Sequence, residues 1–247
     1  MTARGRILAG VVAGATMLAV SSTAQPAGAR GPTREAPVEP VVVELFTAQG
    51  CHGCPDANRL VEELAEEPGV IALTYAVDYW DYLGWPDTFA KPEFADRQRA
   101  YRSALGVRDV YTPQVVIDGR RQVSGAQPPV VQTAVEEEAQ RRAFPPQVEF
   151  REDGDRVGVG SGRPPNGGAE VWAVIYEPGP QTVTVRGGDN RGQAVRHVNV
   201  VKGLRRLGEW HGRPTLFALP DGISEDAGVV VMVQGKRDRR ILAAAAR

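Results

Sequence analysis

Residues 41–55 read VVVELFTAQGCHGCP, and this stretch decides the fold class that we expect. Val41–Phe46 is a nearly continuous apolar run, which is typical of a β-strand covered on both faces. Pro55–Glu67 follows a glycine-containing loop and carries apolar residues at helical spacing. The two cysteines, Cys51 and Cys54, are therefore expected where a buried strand ends and a helix begins.

This placement favours redox chemistry at the cysteine pair. At positions i and i+3 of a first helical turn the two side chains are neighbours, and the free N–H groups and helix dipole stabilise a thiolate there. We expect Cys51 to be the nucleophile and Cys54 to resolve its mixed disulfide. Two other interpretations stay open: an inert disulfide, which would stabilise so short a loop by only about 2 kcal/mol, and a two-thiolate Cu(I) site.

The pattern of the remaining chain predicts two domains. Residues 41–145 alternate strands and helices in the order β-α-β-α-β-β-α, which is typical of an α/β layer architecture. After Pro145-Pro146, short strand-like runs separated by glycine-rich turns indicate a β-rich, sandwich-like domain over 146–247.

The first 29 residues have the features of an export signal. Arg4 and Arg6 precede an apolar run over 7–20, and Ala27-Gly28-Ala29 fits a cleavage site. The run of 14 residues is short for a bilayer span of about 20. We therefore expect an exported protein, in the periplasm, cell envelope or extracellular space, with a proline-containing linker over 30–40 and no stable membrane span after cleavage.

Charge excludes one class of partner. The 29 basic and 30 acidic residues leave a formal charge of −1, so the chain lacks the basic excess typical of nucleic-acid-binding proteins. With only three histidines and one cysteine pair, a closed zinc site is hard to build, and no metal site is expected.

Several strings together resemble a known family. They are ELFTAQGCHGCPDAN (44–58), VDYWDYLGWPDTFA (77–90), RQRAY (97–101), VYTPQVVIDG (110–119), GGDNRGQAVRHVNVV (187–201) and LGEW (207–210). The chain is similar to the thioredoxin superfamily and, more closely, to the exported thioredoxin-like family catalogued as domain of unknown function 1223. The resemblance implies a thioredoxin-like α/β domain ahead of the β-rich domain.

The resemblance also implies roles for individual residues. Cys51 and Cys54 match the redox pair, Pro113 matches a cis-proline facing the cysteines, and Thr112 would offer its backbone to an extended substrate. Glu44 lies close to the position of a buried carboxylate that relays a proton to the second cysteine. His52 could stabilise the Cys51 thiolate, although oxidising members of the superfamily usually place histidine one residue later.

Two further segments have open interpretations. The loop over 78–85 holds four aromatic residues, which could line a substrate groove or pack onto the core. The glycine-rich string over 187–192 joins two strand-like runs and opens no helix, so it predicts a hairpin turn rather than a phosphate-binding loop.

The sequence thus predicts an exported thiol-disulfide oxidoreductase that needs no cofactor and acts on cysteine-containing proteins together with an exported redox partner. The alternative is a non-enzymatic module on the same scaffold that handles Cu(I) or binds proteins.

Overall fold

Seven consecutive buried residues, Val41–Thr47, form the interior strand β1. The computed structural model describes residues 1–2, 39–141, 144–152 and 154–247. By contacts the chain divides into Met1–Pro37 and Val38–Arg247, and the second unit carries the architecture below. Almost all of the predicted signal peptide (1–29) and most of the linker (30–40) lie outside the described residues.

Three helices and ten further strands follow β1 in the described chain. The helices are α1 (Cys54–Ala65), α2 (Pro92–Ala104) and α3 (Pro128–Ala139), and Asp81–Leu83 forms a short 3₁₀ turn. The strands are β2 (Val70–Ala76), β3 (Gln114–Ile117), β4 (Arg121–Ser124), β5 (Val148–Phe150), β6 (Arg156–Val159), β7 (Ala169–Thr184), β8 (Ala194–Trp210), β9 (Thr215–Ala218), β10 (Gly228–Gly235) and β11 (Ile241–Ala246).

Eight of the strands form one mixed sheet in the order β11-β10-β7-β8-β2-β1-β3-β4. β1 pairs in parallel with β2 and antiparallel with β3, and β8 joins the other edge of β2 in parallel. The remaining pairs are antiparallel. Strands β5, β6 and β9 form a separate three-stranded sheet.

The alternation of side chains along β1 divides the core. Val43 and Leu45 pack with apolar residues of α1 and α3 on one face of the sheet. Val42 and Phe46 pack on the other face, in the same cluster as both cysteines and Tyr101 of α2. Burial on both faces explains why the sequence of β1 is nearly all apolar.

The expected fold class, an α/β thioredoxin-like domain followed by a β-rich domain, is wrong. The described chain is mostly β, with a large mixed sheet and three short helices. The physical reason is that apolar β2 needs a neighbour at its outer edge, and β8 supplies one. Thr74 donates to the Val198 carbonyl at 2.6 Å and Asn199 donates to the Ala72 carbonyl at 3.0 Å, so strands from both halves of the chain build a single sheet.

The prediction that residues 41–145 and 146–247 are separate domains stays a prediction. Within the second half, β7 continues through the Pro178–Pro180 segment as one strand, with a register shift between Glu177 and Pro180. None of the helices in the described part of the chain has the length and apolar content needed to cross a membrane.

Candidate redox site at the start of helix α1

The two cysteines are joined in a disulfide at the N-terminus of α1. Their Cα atoms are 5.4 Å apart, and Cys54 is the first helical residue. The Cys54 N–H donates to the Cys51 carbonyl at 3.1 Å, and Pro55 follows in the first turn, where its missing N–H costs no hydrogen bond. Both cysteines are covered, with Cys51 2% and Cys54 0% exposed. The helix N-terminus is thus placed to stabilise a thiolate when the bond opens.

Pro113 lies against the loop between the cysteines. The Thr112–Pro113 peptide bond is cis, which confirms that prediction. A Cβ atom added to Gly53 would lie 3.7 Å from the Pro113 ring, so the two segments are in contact. A Cβ on Gly125 would lie 2.8 Å from Ala57 and 3.0 Å from Pro113, so glycine there lets the proline approach α1 closely.

The aromatic loop borders the same site. Trp80 donates its indole N–H to the Thr112 hydroxyl at 2.7 Å, and a Cβ on Gly50 would lie 3.9 Å from Trp80. Tyr82 stacks on Trp80, with ring centroids 6.4 Å apart, and is 78% exposed. Trp80 therefore packs onto the core, as one of the two sequence interpretations has it, whereas Tyr82 faces solvent. A substrate groove lined by this loop stays a prediction.

Gln49, two residues before Cys51, is fully buried and anchors the loop. Its backbone N–H donates to the Asp87 carboxylate at 2.6 Å, and its amide oxygen accepts from the Trp85 indole at 2.7 Å. Its amide nitrogen donates to the Thr88 hydroxyl at 2.8 Å. Burial raises the pKa of Asp87, although the hydrogen bond from Gln49 opposes that shift. Sequence reasoning missed this anchor, because a lone glutamine carries no signal for contacts some 40 residues away.

The turn between β7 and β8 also reaches the cysteine loop. The predicted hairpin is confirmed, because Val185 and Gln193 pair across the turn at 2.9 Å. The buried Asn190 side chain donates to the carbonyls of Gln49, at 2.9 Å, and Cys51, at 2.7 Å. The available sequence signal was the combination of two glycines with Asp-Asn, which favours a tight turn carrying hydrogen-bonding side chains.

Glu44 is buried in a polar cluster on β1. Its carboxylate accepts from the Arg97 guanidinium at 2.6 and 3.1 Å and from the Tyr101 hydroxyl. Burial alone would lower the pKa of Arg97, but the Glu44 charge and hydrogen bond, together with the neighbouring tyrosines, outweigh burial and raise that pKa well above its ordinary value. The structure therefore brings Glu44 together with Arg97 of α2, and its role in proton transfer to Cys54 stays a prediction.

The histidines occupy different environments. His52, between the cysteines, is exposed. His197 of β8 is fully buried, packs edge-on against Phe89 with ring centroids 5.3 Å apart, and has its pKa lowered to about 4 by burial. Within the described ranges, no three His, Cys, Asp or Glu side chains converge as a metal-ligand group would.

Comparison with known proteins gives one family match. A family described as "Protein of unknown function (DUF1223)" matches residues 42–234. The crystal structure of a protein from Agrobacterium tumefaciens is similar, with 32% identity and a TM-score of 0.69 over 83% of this chain and 92% of that one. HBP35 of Porphyromonas gingivalis shares 14% identity and a TM-score of 0.53 over 85% of this chain and 74% of that one, a likeness of fold alone. Among curated proteins, no match to the chain is found.

Proposed function

The chain belongs to the DUF1223 family, whose function is unknown, and we propose that it is a thiol-disulfide oxidoreductase that acts on cysteine-containing proteins. One observation carries the proposal: the Cys51–Cys54 disulfide closes the turn that leads into α1, with Pro113 packed against the same loop. An inert disulfide at this position would add little stability, since it closes a loop of only four residues. We propose that the resemblance to thioredoxins, which the sequence implied, applies to this site.

The chemistry needs only the two sulfurs and a partner disulfide or dithiol. To reduce a partner, the Cys51 thiolate attacks one sulfur of the partner's disulfide, and the other sulfur leaves as a thiolate that takes a proton from water. The Cys54 thiolate then attacks Cys51 Sγ, which closes the internal disulfide and releases the partner's second thiol. Two electrons pass from the dithiol to the partner, and the reverse sequence oxidises a partner dithiol.

The surroundings of the pair support each step. The free N–H groups at the start of α1 stabilise a thiolate, and the i, i+3 spacing keeps Cys54 within reach of Cys51 Sγ. Trp80 lies beside Gly50 and contacts both Thr112 and the exposed Tyr82, and an extended partner segment would lie along this side of the cysteine loop. Because Cys51 is only 2% exposed, a partner must displace covering atoms before its sulfur reaches Cys51.

We extend the proposal to an exported protein, because residues 1–29 have the pattern of a signal peptide. An oxidising compartment supplies disulfide-bonded partners and a second redox protein that restores the pair.

Trapping the mixed disulfide tests the proposal. In the Cys54→Ser variant, reduced Cys51 can attack a disulfide-linked pair of peptides but cannot be resolved, so a stable adduct of protein and one peptide should accumulate by mass spectrometry. The matched Cys51→Ser variant should form less adduct, because Cys54 is fully buried whereas Cys51 keeps 2% exposure. Absence of adduct with both variants contradicts the proposal. Tight stoichiometric Cu(I) binding by the reduced wild type, without exchange, would instead support copper handling.

A further inference from the structure

Three successive carbonyl groups of the cysteine loop are held by one turn. The carbonyls of Gln49 and Cys51 accept from the two N–H bonds of the Asn190 side-chain amide, at 2.9 and 2.7 Å. The Gly50 carbonyl between them accepts from the Asp189 backbone N–H at 3.2 Å. Asn190 is 1% exposed, so its hydrogen bonds do not compete with bulk water.

The backbone of the turn is shaped for this approach. Gly188 has φ of 68°, and a Cβ there would lie 3.0 Å from the Cα of Gly50. A Cβ on Gly187 would lie 2.8 Å from the Gly84 carbonyl, at the end of the aromatic loop. The turn therefore fits closely against both loops of the site, and this packing brings the Asn190 amide onto the cysteine loop.

We infer that Asn190 is a positioning residue for disulfide closure: its amide fixes the Cys51 peptide so that Cys54 stays aligned with Cys51 Sγ. The inference rests on the proposed function and assigns a role to a residue outside the CxxC segment. The Cys51 carbonyl also accepts from the Cys54 N–H at 3.1 Å, so two donors hold this carbonyl.

We expect Asn190 to affect one step of thiol-disulfide exchange, the closure of the internal disulfide. In that step the Cys54 thiolate attacks Cys51 Sγ of the mixed disulfide, the internal S–S bond forms, and the partner sulfur leaves as a thiolate. Its rate depends on the effective concentration of one sulfur at the other, which a fixed loop raises. The first attack, by Cys51 on an incoming disulfide, depends less on the Cys51–Cys54 alignment.

The experiment separates the two steps with oxidised glutathione as the probe. Reduced wild type and the Asn190→Ala variant are mixed with the probe, quenched with acid, and analysed by mass for the glutathione adduct and the internal disulfide. Removing the two hydrogen bonds should slow resolution about tenfold while formation of the adduct changes less than about threefold. The equilibrium constant for closing the internal disulfide, measured against glutathione, should also fall about tenfold. This fall is equivalent to a rise of about 30 mV in reduction potential.

Two further variants control for shape and for position. Asn190→Asp keeps the size of the side chain but loses the N–H donors, so it should resolve slowly, like Asn190→Ala. Gln193→Ala removes an exposed side chain from the same turn and should behave as wild type. Unfolding midpoints measured in parallel show whether each variant is folded under assay conditions.

Several outcomes would overturn the inference. Resolution by Asn190→Ala at the wild-type rate would do so, as would recovery of the wild-type rate by Asn190→Asp. Equal slowing of both steps would show a general loss of structure rather than positioning. If the wild type forms no adducts with disulfide peptides, the proposed function fails, whereas the potential of the pair still reports whether Asn190 aligns the cysteines.

Discussion

Breaking the buried Glu44–Arg97 pair should be strongly destabilising. Arg97 Nε lies 2.6 Å from Glu44 Oε1, and the exposed fractions of the two side chains are 3% and 0%. The carboxylate keeps the guanidinium charged despite its burial, because it raises the Arg97 pKa. Glu44→Gln leaves that charge buried without a counter-charge, which costs about 3–5 kcal/mol in comparable pairs. Since domains of this kind are stable by about 5–15 kcal/mol, the loss should be easy to measure.

Removing both charges together should restore most of the stability. In the double variant Glu44→Gln, Arg97→Met no charge remains in the cluster, and the glutamine can still bond with the Tyr101 hydroxyl. We expect the double variant to unfold within about 2 kcal/mol of wild type, so the coupling energy of the cycle should exceed about 3 kcal/mol. Urea unfolding of the oxidised proteins, followed by circular dichroism, provides all four free energies.

The same cycle tests the predicted proton-transfer role of Glu44. If Glu44 relays a proton to Cys54, the double variant should be stable but slow in disulfide exchange. An exchange rate equal to wild type in the stable double variant would remove that role. Single variants that lose less than about 1 kcal/mol would refute the reasoning about the buried charge pair itself.

Two smaller predictions concern the turn and the hairpin. Gly188→Ala should loosen the turn and speed alkylation of reduced Cys51, because the added Cβ would lie 3.0 Å from the Cα of Gly50. Gly192→Ala is the control: Gly192 also has positive φ, but a Cβ there has no atom within 4 Å, so alkylation should keep the wild-type rate. Burial raises the pKa of Asp118 to about 6, so its folded form binds a proton more tightly than the unfolded chain and wild-type stability falls as the pH rises from about 4 to 6. The free energy of unfolding of Asp118→Asn in urea should therefore exceed that of wild type by up to about 3 kcal/mol at pH 7.5 and by little at pH 4. The same excess at both pH values would contradict the raised pKa.

Local sequence patterns predicted the elements around the site well. The apolar run of β1 and the helical spacing after Pro55 gave the strand and helix that hold the cysteines. The sequence Asp118-Gly119 is typical of a hairpin turn, and both residues have positive φ in the connection between β3 and β4. These features depend on neighbours in sequence, which is why pattern and propensity were sufficient.

Long-range pairing was not predictable from the same patterns. The joining of β8 to β2 pairs Val200 with Thr74, and no local signal specifies a parallel contact across so many residues. Arg97 lies on a helix with several arginines, and only its partner Glu44 distinguishes it from the solvated ones. The contact of Asn190 with the cysteine loop likewise depends on how the β7–β8 turn meets α1.

The reduction potential of the Cys51–Cys54 pair tests the central claim most directly. Protein without residues 1–29 is equilibrated against graded glutathione, alkylated and analysed by mass, which gives the fraction of disulfide at each ratio. An exchange protein should have a potential between about −120 and −270 mV, the range of known oxidants and reductants of this chemistry. A disulfide that resists reduction below about −300 mV, or thiols that never pair, would contradict thiol-disulfide exchange as the function.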